Sequence, residues 1–294
     1  MNMRKVSINN RSKTFLAITI PIVLLFFTFN TMAVIQGFGY SLTNFRGFGS
    51  FRFVGLRNYI DLFSDSRVIN SYIFTFGFAI VCTILVNVIS LILALGLNSK
   101  IRAKGALRAI YFLPNILGGL VIGYVFNFFF TYILPAIGKA VGSGALSNSL
   151  LASPKTAWFA LVICVSWQSI AMNTLIYISG LQTVPEDVYE AGEIDGAVGF
   201  KKFKNITFPL IMPFFTINMV LCMKNFLMVF DQIVSLTGGG PARSTESISY
   251  LIYNGGLSGG AFGYQSANAV IFFIVILIIS VFQLKFLGKK EEQL

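Results

Sequence analysis

Long apolar stretches separated by short charged segments dominate the chain, and this pattern predicts six membrane-spanning helices. An α-helix needs about 20 apolar residues to cross the hydrocarbon core of a bilayer. The six stretches run over Phe15 to Gln36, Ser71 to Leu97, Ala109 to Leu134, Thr156 to Gly180, Leu210 to Ser235 and Gly263 to Leu287. The short alternating segments of a membrane barrel are absent. We therefore expect an all-α membrane protein in which residues 1–294 form a single transmembrane domain.

Composition supports this reading. Hydrophobic residues make up 55% of the chain, charged residues make up only 11%, and 31 residues are Phe. A soluble domain of 294 residues would need many more charged residues to cover its surface. The segments between the apolar stretches are short, so any soluble chemistry must be supplied by partner proteins.

The distribution of Lys and Arg predicts that both termini are cytoplasmic, because cytoplasmic loops carry an excess of these residues. Fourteen of the 22 lie on the predicted cytoplasmic side, namely Arg4, Lys5, Arg11, Lys13, Lys100, Arg102, Lys104, Arg108, Lys201, Lys202, Lys204, Lys285, Lys289 and Lys290. The first outer loop runs against the rule with four Arg. The net charge of +11 thus indicates orientation and attraction to anionic lipid, and no nucleic-acid partner is expected.

The first apolar stretch follows four basic residues, as a secretory signal does. It is long, however, and lacks a convincing small-residue cleavage site. We expect it to remain as the first spanning helix of a multi-pass membrane protein.

Catalysis by this chain is disfavoured by the residues that are missing. The chain has no His, which excludes His-dependent triads and zinc sites of the HExxH kind, and it has no P-loop motif for a nucleotide. We expect no enzyme activity and no cofactor bound by this chain. Two charged residues at membrane depth, Lys224 and Asp231, are seven apart, which would place them near one face of the fifth helix as a possible charged pair.

An acidic segment over residues 181–209, which we call the acidic loop, interrupts the apolar pattern. Five of the eleven acidic residues lie between Glu186 and Asp195. Pro185 and the acids after it favour a helix start, Gly196 and Gly199 favour a break, and residues 200–208 predict a second short helix. The periodicity leaves two alternatives open: a docking element for a soluble partner, or a solvated hairpin with no partner.

The acidic loop also carries a recognisable signature. It resembles the E-A-A-x3-G-x9-I-x-L-P motif in the membrane subunits of binding-protein-dependent ABC importers, with Gly192 in place of the second Ala and Phe208 in place of Leu. The matching residues are Glu190, Ala191, Gly192, Gly196, Ile206, Phe208 and Pro209. The stretch GLQTVPEDVYEA from Gly180, and FD followed by LTGGGP from Phe230, are similar to the carbohydrate branch and to the permease that holds the sugar site.

This resemblance implies a type I ABC importer permease, with the acidic loop as its cytoplasmic coupling element. It implies a sister permease, two copies of a cytoplasmic ATPase that binds ATP and Mg, and an extracellular or periplasmic solute-binding protein. For the surface that contacts the ATPase, the resemblance assigns the charged contact to Glu190 and the apolar anchor to Val188 and Tyr189. It assigns the bend to Gly196. Ala191 and Asp195 are the other expected members of this site.

The resemblance also places a sugar path in the fourth and fifth spans, where amide groups and aromatic rings suit a carbohydrate. The expected residues are Gln168, Ser169, Met172, Cys222, Asn225, Phe226 and Val229. Polar residues at such positions also bond simply across helices, which is the ordinary alternative. For Lys224 we favour pairing with Asp231, or reaching toward the helix end, over contact with an acidic sugar.

A competing class is an ion-coupled secondary sugar transporter. Such a protein uses inverted repeats and intramembrane acids, whereas the predicted spans hold one acid, Asp231, and show no second repeat. We therefore expect a non-catalytic permease for an oligosaccharide, driven by a separate ATPase.

Overall fold

The computed structural model describes residues 10–98 and 113–291 of the chain, which are very largely helical. In this part of the chain, five helices are long and apolar enough to cross a membrane. Two more helices meet at a bend of 73° and together make a sixth crossing if they are counted as one span. The predicted all-α membrane fold is confirmed.

The helices, in chain order, have the following bounds. They are α1 (Asn10–Phe26, a π-helical turn at Phe27–Thr31, and Met32–Ser41), α2 (Arg57–Ser64), α3 (Ser66–Asn98), α4 (Gly119–Phe128, a π-helical turn at Phe129–Ile133, and Leu134–Ala140), α5 (Pro154–Leu181), α6 (Glu186–Ile194), α7 (Gly199–Leu210), α8 (Met212–Leu227), α9 (Ile248–Tyr253) and α10 (Phe262–Glu291). A separate π-helical segment, Ile233–Thr237, lies between α8 and α9.

The chain groups into two units, of which the first comprises the residues up to Leu62 and Asn254–Ile271. Hydrogen bonds close this unit: the Asn58 amide donates to the carbonyl oxygens of Ser41 and Thr43 at 2.7 and 2.9 Å. Gly263 N donates to Phe45 O at 2.7 Å. An aromatic cluster packs beside these bonds and consists of Tyr40, Phe45, Phe51 and Phe262.

The second unit, Phe63–Tyr253 with Phe272–Leu294, contains the main core. Helices α3, α5 and α8 pack together through small and medium side chains, among them Cys82, Cys164 and Cys222, which are all buried and free. Some buried polar groups of these helices are bonded across helices, as the Tyr177 hydroxyl is to Asn87 Oδ1 at 2.7 Å, whereas Ser166 Oγ and Thr216 Oγ1 have no partner in the described part of the chain. Such bonds are needed because water is not there to satisfy the groups.

A smaller core cluster fixes the direction of these helices. Ala94 near the end of α3 packs with Ile178 and Leu181 near the end of α5 and with Ile211 before α8. The acidic loop, which joins α5 to α8, therefore leaves the bundle at this end. The first residues of α3 lie at the opposite end, roughly 40 Å away at 1.5 Å per helical residue.

Two predicted spans have different limits in the structure. The fifth was expected to run to Ser235, but α8 ends at Leu227 and residues 228–230 are not helical. The third was expected to start at Ala109, whereas Leu117 and Gly118 are not helical and α4 starts at Gly119. The predicted start at residues 109–112 lies outside the described residues. Hydropathy could not show these interruptions, because their residues are as apolar as those of a continuous helix.

Two glycines explain how α4 packs beside the π-helical segment. A Cβ on Gly123 would collide with Ser235 Oγ and would lie 2.8 Å from Ser235 Cβ. A Cβ on Gly119 would lie 2.8 Å from Asp231 Cβ. Small residues four apart let helix backbones approach closely inside a membrane.

We predict that Gly123→Val destabilises the protein by about 1–3 kcal/mol, because the added methyl groups force α4 away from Ser235. Thermal unfolding of the purified protein in detergent measures the effect. Gly77→Val is the matched control, since a Cβ there meets no atom within 4 Å. Equal melting temperatures for the two variants would contradict the close approach.

Candidate functional site

The acidic loop folds as a helix, a glycine turn and a second helix, as its sequence predicts. Helix α6 begins after Pro185 with Glu186 and Asp187 in its first turn, where negative charge complements the helix dipole. Gly196 follows the helix with a left-handed φ of +75°, and the next residue, Ala197, donates its N–H to Gly192 O at 2.8 Å. This is the hydrogen bond of a Schellman cap, and it confirms Gly196 as the bend.

Gly192, the residue that departs from the signature, is buried at a close contact between the two helices. A Cβ on Gly192 would collide with Ile206 Cδ1, and Ile206 is itself a residue of the signature. In this chain the end of the Ile206 side chain occupies the space that a methyl group at position 192 would take, so this side chain would have to rotate to admit the alanine of the signature.

Lys202 ties the two helices together on their polar side. Its Nζ donates to Glu193 Oε1 at 2.8 Å and lies 4.5 Å from the centre of the Tyr189 ring. The hydrogen bond and the charge of Lys202 hold the pKa of Glu193 below its ordinary value. Because the pKa of Glu193 is lowered in the folded loop, the full stabilising contribution of the pair is present above the ordinary pKa range of a carboxyl group. This contribution is lost as the pH falls through the lowered pKa.

Several apolar side chains of the acidic loop are exposed. Ile194 is 87% exposed, Phe200 is 76% exposed and Val198 is 66% exposed, and all three lie around the glycine turn. Val188 and Glu190 are also exposed. Sequence reasoning selected Val188 and Glu190 but missed the other three, although Ile194 stands within the motif. An exposed apolar group with acids beside it is typical of an interaction surface.

A cavity of about 350 Å³ lies in the middle of the second unit, where α5 faces the end of α8. Five residues of the predicted sugar path line it: Gln168, Ser169, Asn225, Phe226 and Val229. Gln168 lies 13 residues before the end of α5, roughly 20 Å from that end. The structure thus brings most of the predicted path together at mid-bundle.

The break after α8 shapes this cavity. Residues 228–232 all line it, and the freed carbonyl of Val229 accepts a hydrogen bond from Ser247 Oγ at 2.9 Å. Gln232 Nε2 donates to Gln168 Oε1 at 2.7 Å, and Gln168 Nε2 donates to Leu117 O at 3.0 Å. Two amide side chains therefore connect α5 to both non-helical segments.

Two residues of the predicted path lie elsewhere. Met172 is exposed one turn further along α5, and Cys222 is buried, with its thiol donating to Asn173 Oδ1 at 3.0 Å. Neither lines the cavity. The reason is that α8 ends at Leu227, so the cavity is built by the last turn of that helix and the residues after it.

The structure places Lys224 and Asp231 apart from each other. The prediction that they share a face of one helix is wrong, because α8 ends between them. Within residues 10–98 and 113–291 no ion pair joins them. Lys224 lies in the last turn of α8, where a cation complements the helix dipole. Asp231 lines the cavity beside Gly119, the first residue of α4.

Sequence reasoning missed further lining residues. They are Asn115, Gly119, Val165, Met228, Phe230 and Gln232. Asn115 and Gly119 follow Pro114 in a stretch read as continuous helix, so the proline and the paired glycines were the available signal.

The fold and the broken-helix cavity define a helical membrane component of a transport system, and comparison with known proteins gives its family. The model of the family described as binding-protein-dependent transport system inner membrane component matches residues 86–291. The chain belongs to this family. It is a multi-pass membrane protein and the non-catalytic permease subunit of an importer.

Two curated relatives match over most of their length. The multiple sugar-binding transport system permease protein MsmF of Streptococcus mutans is 37% identical over 293 residues, 99% of this chain and 100% of the relative. The probable starch degradation products transport system permease protein AmyD of Thermoanaerobacterium thermosulfurigenes is 36% identical over 260 residues, 88% of this chain and 89% of the relative.

The same fold occurs in a solved transporter. A crystal structure of a bacterial ABC transporter involved in the import of the acidic polysaccharide alginate contains a chain with a TM-score of 0.80 and 20% identity. The similarity covers 95% of this chain and 96% of that chain. The predicted ABC importer permease fold is confirmed.

We predict that Lys202→Met loosens the acidic loop, because it removes both the bond to Glu193 and the contact with Tyr189. Thermolysin, which cleaves beside exposed apolar residues, should cut near the glycine turn roughly two- to fivefold faster than in the parent. Lys201→Met is the matched control, since Lys201 is exposed and its neighbour makes both contacts. Equal cleavage of the two variants would contradict the role given to Lys202.

Proposed function

We propose that this chain carries a carbohydrate, as an oligosaccharide, across the bacterial cell membrane, with energy from a separate ATPase. The observation that carries the proposal is the polar cavity at the break after α8, a helix whose other end adjoins the acidic loop. The sugar transport named for MsmF and AmyD supports the choice of solute.

The cavity has the chemistry that a sugar needs. Amide and hydroxyl groups of Gln168, Ser169 and Asn225 suit sugar hydroxyls, and Phe226, although only 2% exposed, lines the cavity with a ring that suits an apolar sugar face. A non-helical backbone at membrane depth is tolerated where it lines a water-filled cavity. We therefore assign these four side chains and Val229 to the solute path.

The acidic loop is our proposed contact with a cytoplasmic ATPase. An amphipathic helix that enters a groove uses apolar anchors with a charged rim. Val188, Ile194 and Phe200 provide exposed apolar groups, and Glu190 is an exposed acid. We assign the anchor to these apolar residues and the charged contact to Glu190, with Tyr189, Ala191 and Asp195 beside them. Residues 181–209 are thus the proposed coupling segment within one permease domain.

The partners follow from this assignment. We infer a sister permease, two copies of the ATPase, which bind ATP and Mg, and a binding protein that delivers the sugar on the opposite face. ATP-driven closure of the ATPases would then alternate the access of the cavity between the two sides.

A continuous set of contacts supports transmission from the loop to the cavity. Helix α6 touches α7 where Gly192 meets Ile206, and α7 continues through the buried Ile211 into α8. The last turn of α8 carries Asn225 and Phe226 into the cavity wall. A displacement of α6 is therefore passed to the residues that hold the solute, since packed helices move as rigid bodies.

We predict that Glu190→Lys lowers binding-protein-dependent uptake roughly tenfold or more, because it reverses the charge at the ATPase contact. Uptake and sugar-stimulated ATPase activity in proteoliposomes measure coupling, and Glu190→Gln should give an intermediate loss. Asp61→Lys makes the same change in net charge at an exposed residue outside residues 181–209 and should leave uptake near the parent value. Unchanged uptake in Glu190→Lys would remove the assignment.

We predict that the double variant Asn225→Ala with Phe226→Ala reduces solute uptake roughly tenfold or more, because hydrogen bonds and a ring contact are lost. Basal ATPase activity should persist, since the acidic loop is unaltered. Met172→Ala, which truncates a side chain outside the cavity, is the control. If Met172→Ala lost uptake and the double variant did not, the cavity would not be the path.

A further inference from the structure

A second cavity, of about 320 Å³, lies at the end of the bundle opposite the acidic loop. It lies between the first turns of α3 and the loop that precedes α9. The residues used below are Arg67, Asn70 and Phe74 of α3 and Arg243, Ser244 and Glu246 of the loop. None of its lining residues lines the first cavity.

An ion pair builds one wall of this cavity. Arg67 Nε donates to Glu246 Oε2 at 2.9 Å, and Arg67 Nη2 donates to Glu246 Oε1 at 2.7 Å. The Glu246 side chain is only 4% exposed, and its charge is paired with that of Arg67. A guanidinium has five N–H donors. Arg67 uses two of these donors to hold Glu246, and its other N–H groups remain for a ligand in the cavity.

A second guanidinium, that of Arg243, adds a positive charge to the lining. Arg243 is exposed, and within residues 10–98 and 113–291 no ion pair includes it. Ala242 and Arg243 have φ angles of +50° and +62°, a region that L residues seldom adopt and that costs free energy. The backbone is held there by the N–H of Ser244, which donates to Pro241 O at 2.9 Å.

A buried hydroxyl marks the same cavity. Ser244 Oγ is inaccessible and has no hydrogen-bond partner, which is unusual because buried polar atoms are normally bonded. Asn70 supplies an exposed amide, and Phe74 supplies an aromatic wall. The lining thus offers two guanidinium groups against one carboxylate, an exposed amide and one ring face, and Asp65, two residues before Arg67, adds a second negative charge nearby.

We propose that this cavity binds a carboxylate-bearing sugar, with its carboxylate on Arg243 and the free donors of Arg67. Guanidinium groups bind carboxylates through paired, charge-assisted hydrogen bonds. The ring of the sugar lies against Phe74, and its hydroxyls reach the exposed amide of Asn70. The choice of a sugar over another carboxylate rests on the proposed carbohydrate function, whereas the anion site itself does not.

The test measures binding of radiolabelled glucuronate to the transporter complex in lipid nanodiscs, without ATP and without the binding protein. Saturable binding is expected, and Arg243→Gln should weaken it about tenfold. The control is Arg46→Gln, because Arg46 is an exposed arginine outside the cavity, and it should bind as the parent does. Binding should also weaken at high salt, since Arg243 is exposed.

Competing ligands show whether the carboxylate, the sugar ring or both are recognised. Excess glucose should fail to displace glucuronate, and acetate should displace it less well than unlabelled glucuronate does. Three results would overturn the anion site: binding that does not saturate, equal affinity in Arg243→Gln and parent, or displacement by glucose as effective as by unlabelled glucuronate. If acetate displaced glucuronate as well as unlabelled glucuronate does, the site would bind carboxylates in general and the choice of a sugar would be wrong.

Two further measurements keep this proposal separate from the first. Uptake of neutral oligosaccharide reports the proposed function, and it should survive in Arg243→Gln if the two cavities have different tasks. If Arg243→Gln abolished docking of the binding protein and left glucuronate binding unchanged, Arg243 would belong to a protein contact and the proposal would fail.

Discussion

The break between Leu227 and Asp231 imposes the constraint on which the rest of this structure depends. A membrane offers no water to unpaired backbone groups, so a non-helical segment persists only where the protein or a wet cavity meets its needs. Ser247 bonds the Val229 carbonyl, and Gln232 is held by Gln168. These bonds require α5 and the loop before α9 to stay in place, and the close approach of α4 at Gly119 and Gly123 closes the remaining side. The cavity therefore exists because one helix stops early and three neighbours accommodate its end.

Helix α8 connects the acidic loop to the cavity. Helix α8 begins at the bend beside Ile211, inside the small core cluster, and ends at the cavity with Asn225 and Phe226. The loop is held to itself by three different contacts: a Schellman cap, the packing of Ile206 on Gly192, and Lys202 on Glu193. Under the proposed coupling, a partner that moves α6 would move a stiffened unit, and the displacement would reach the proposed solute path through α8, beyond the bend of 73°.

The sequence predicts the helical class, the acidic loop and its glycine bend, because those follow from apolar length, charge and backbone freedom at Gly196. It also selects five cavity residues through resemblance. It does not predict the end of α8, since Met228, Val229 and Phe230 are as apolar as a continuing helix, and their departure from it depends on tertiary bonds to Ser247 and Gln168. The supposed pairing of Lys224 with Asp231 failed for the same reason. Asn115 and Gln232 were missed because their positions depend on breaks that hydropathy does not register.

The contact of Gly192 with Ile206 has a consequence for exchanging parts between permeases. The signature itself combines an alanine at position 192 with the isoleucine at position 206, and the atom that a methyl group would meet here, Ile206 Cδ1, is the end of a flexible side chain. A graft that brings an alanine to position 192 should therefore be accommodated by rotation of the Ile206 side chain, while the two helices keep their spacing. The crossover point of such a graft can accordingly lie between the two positions.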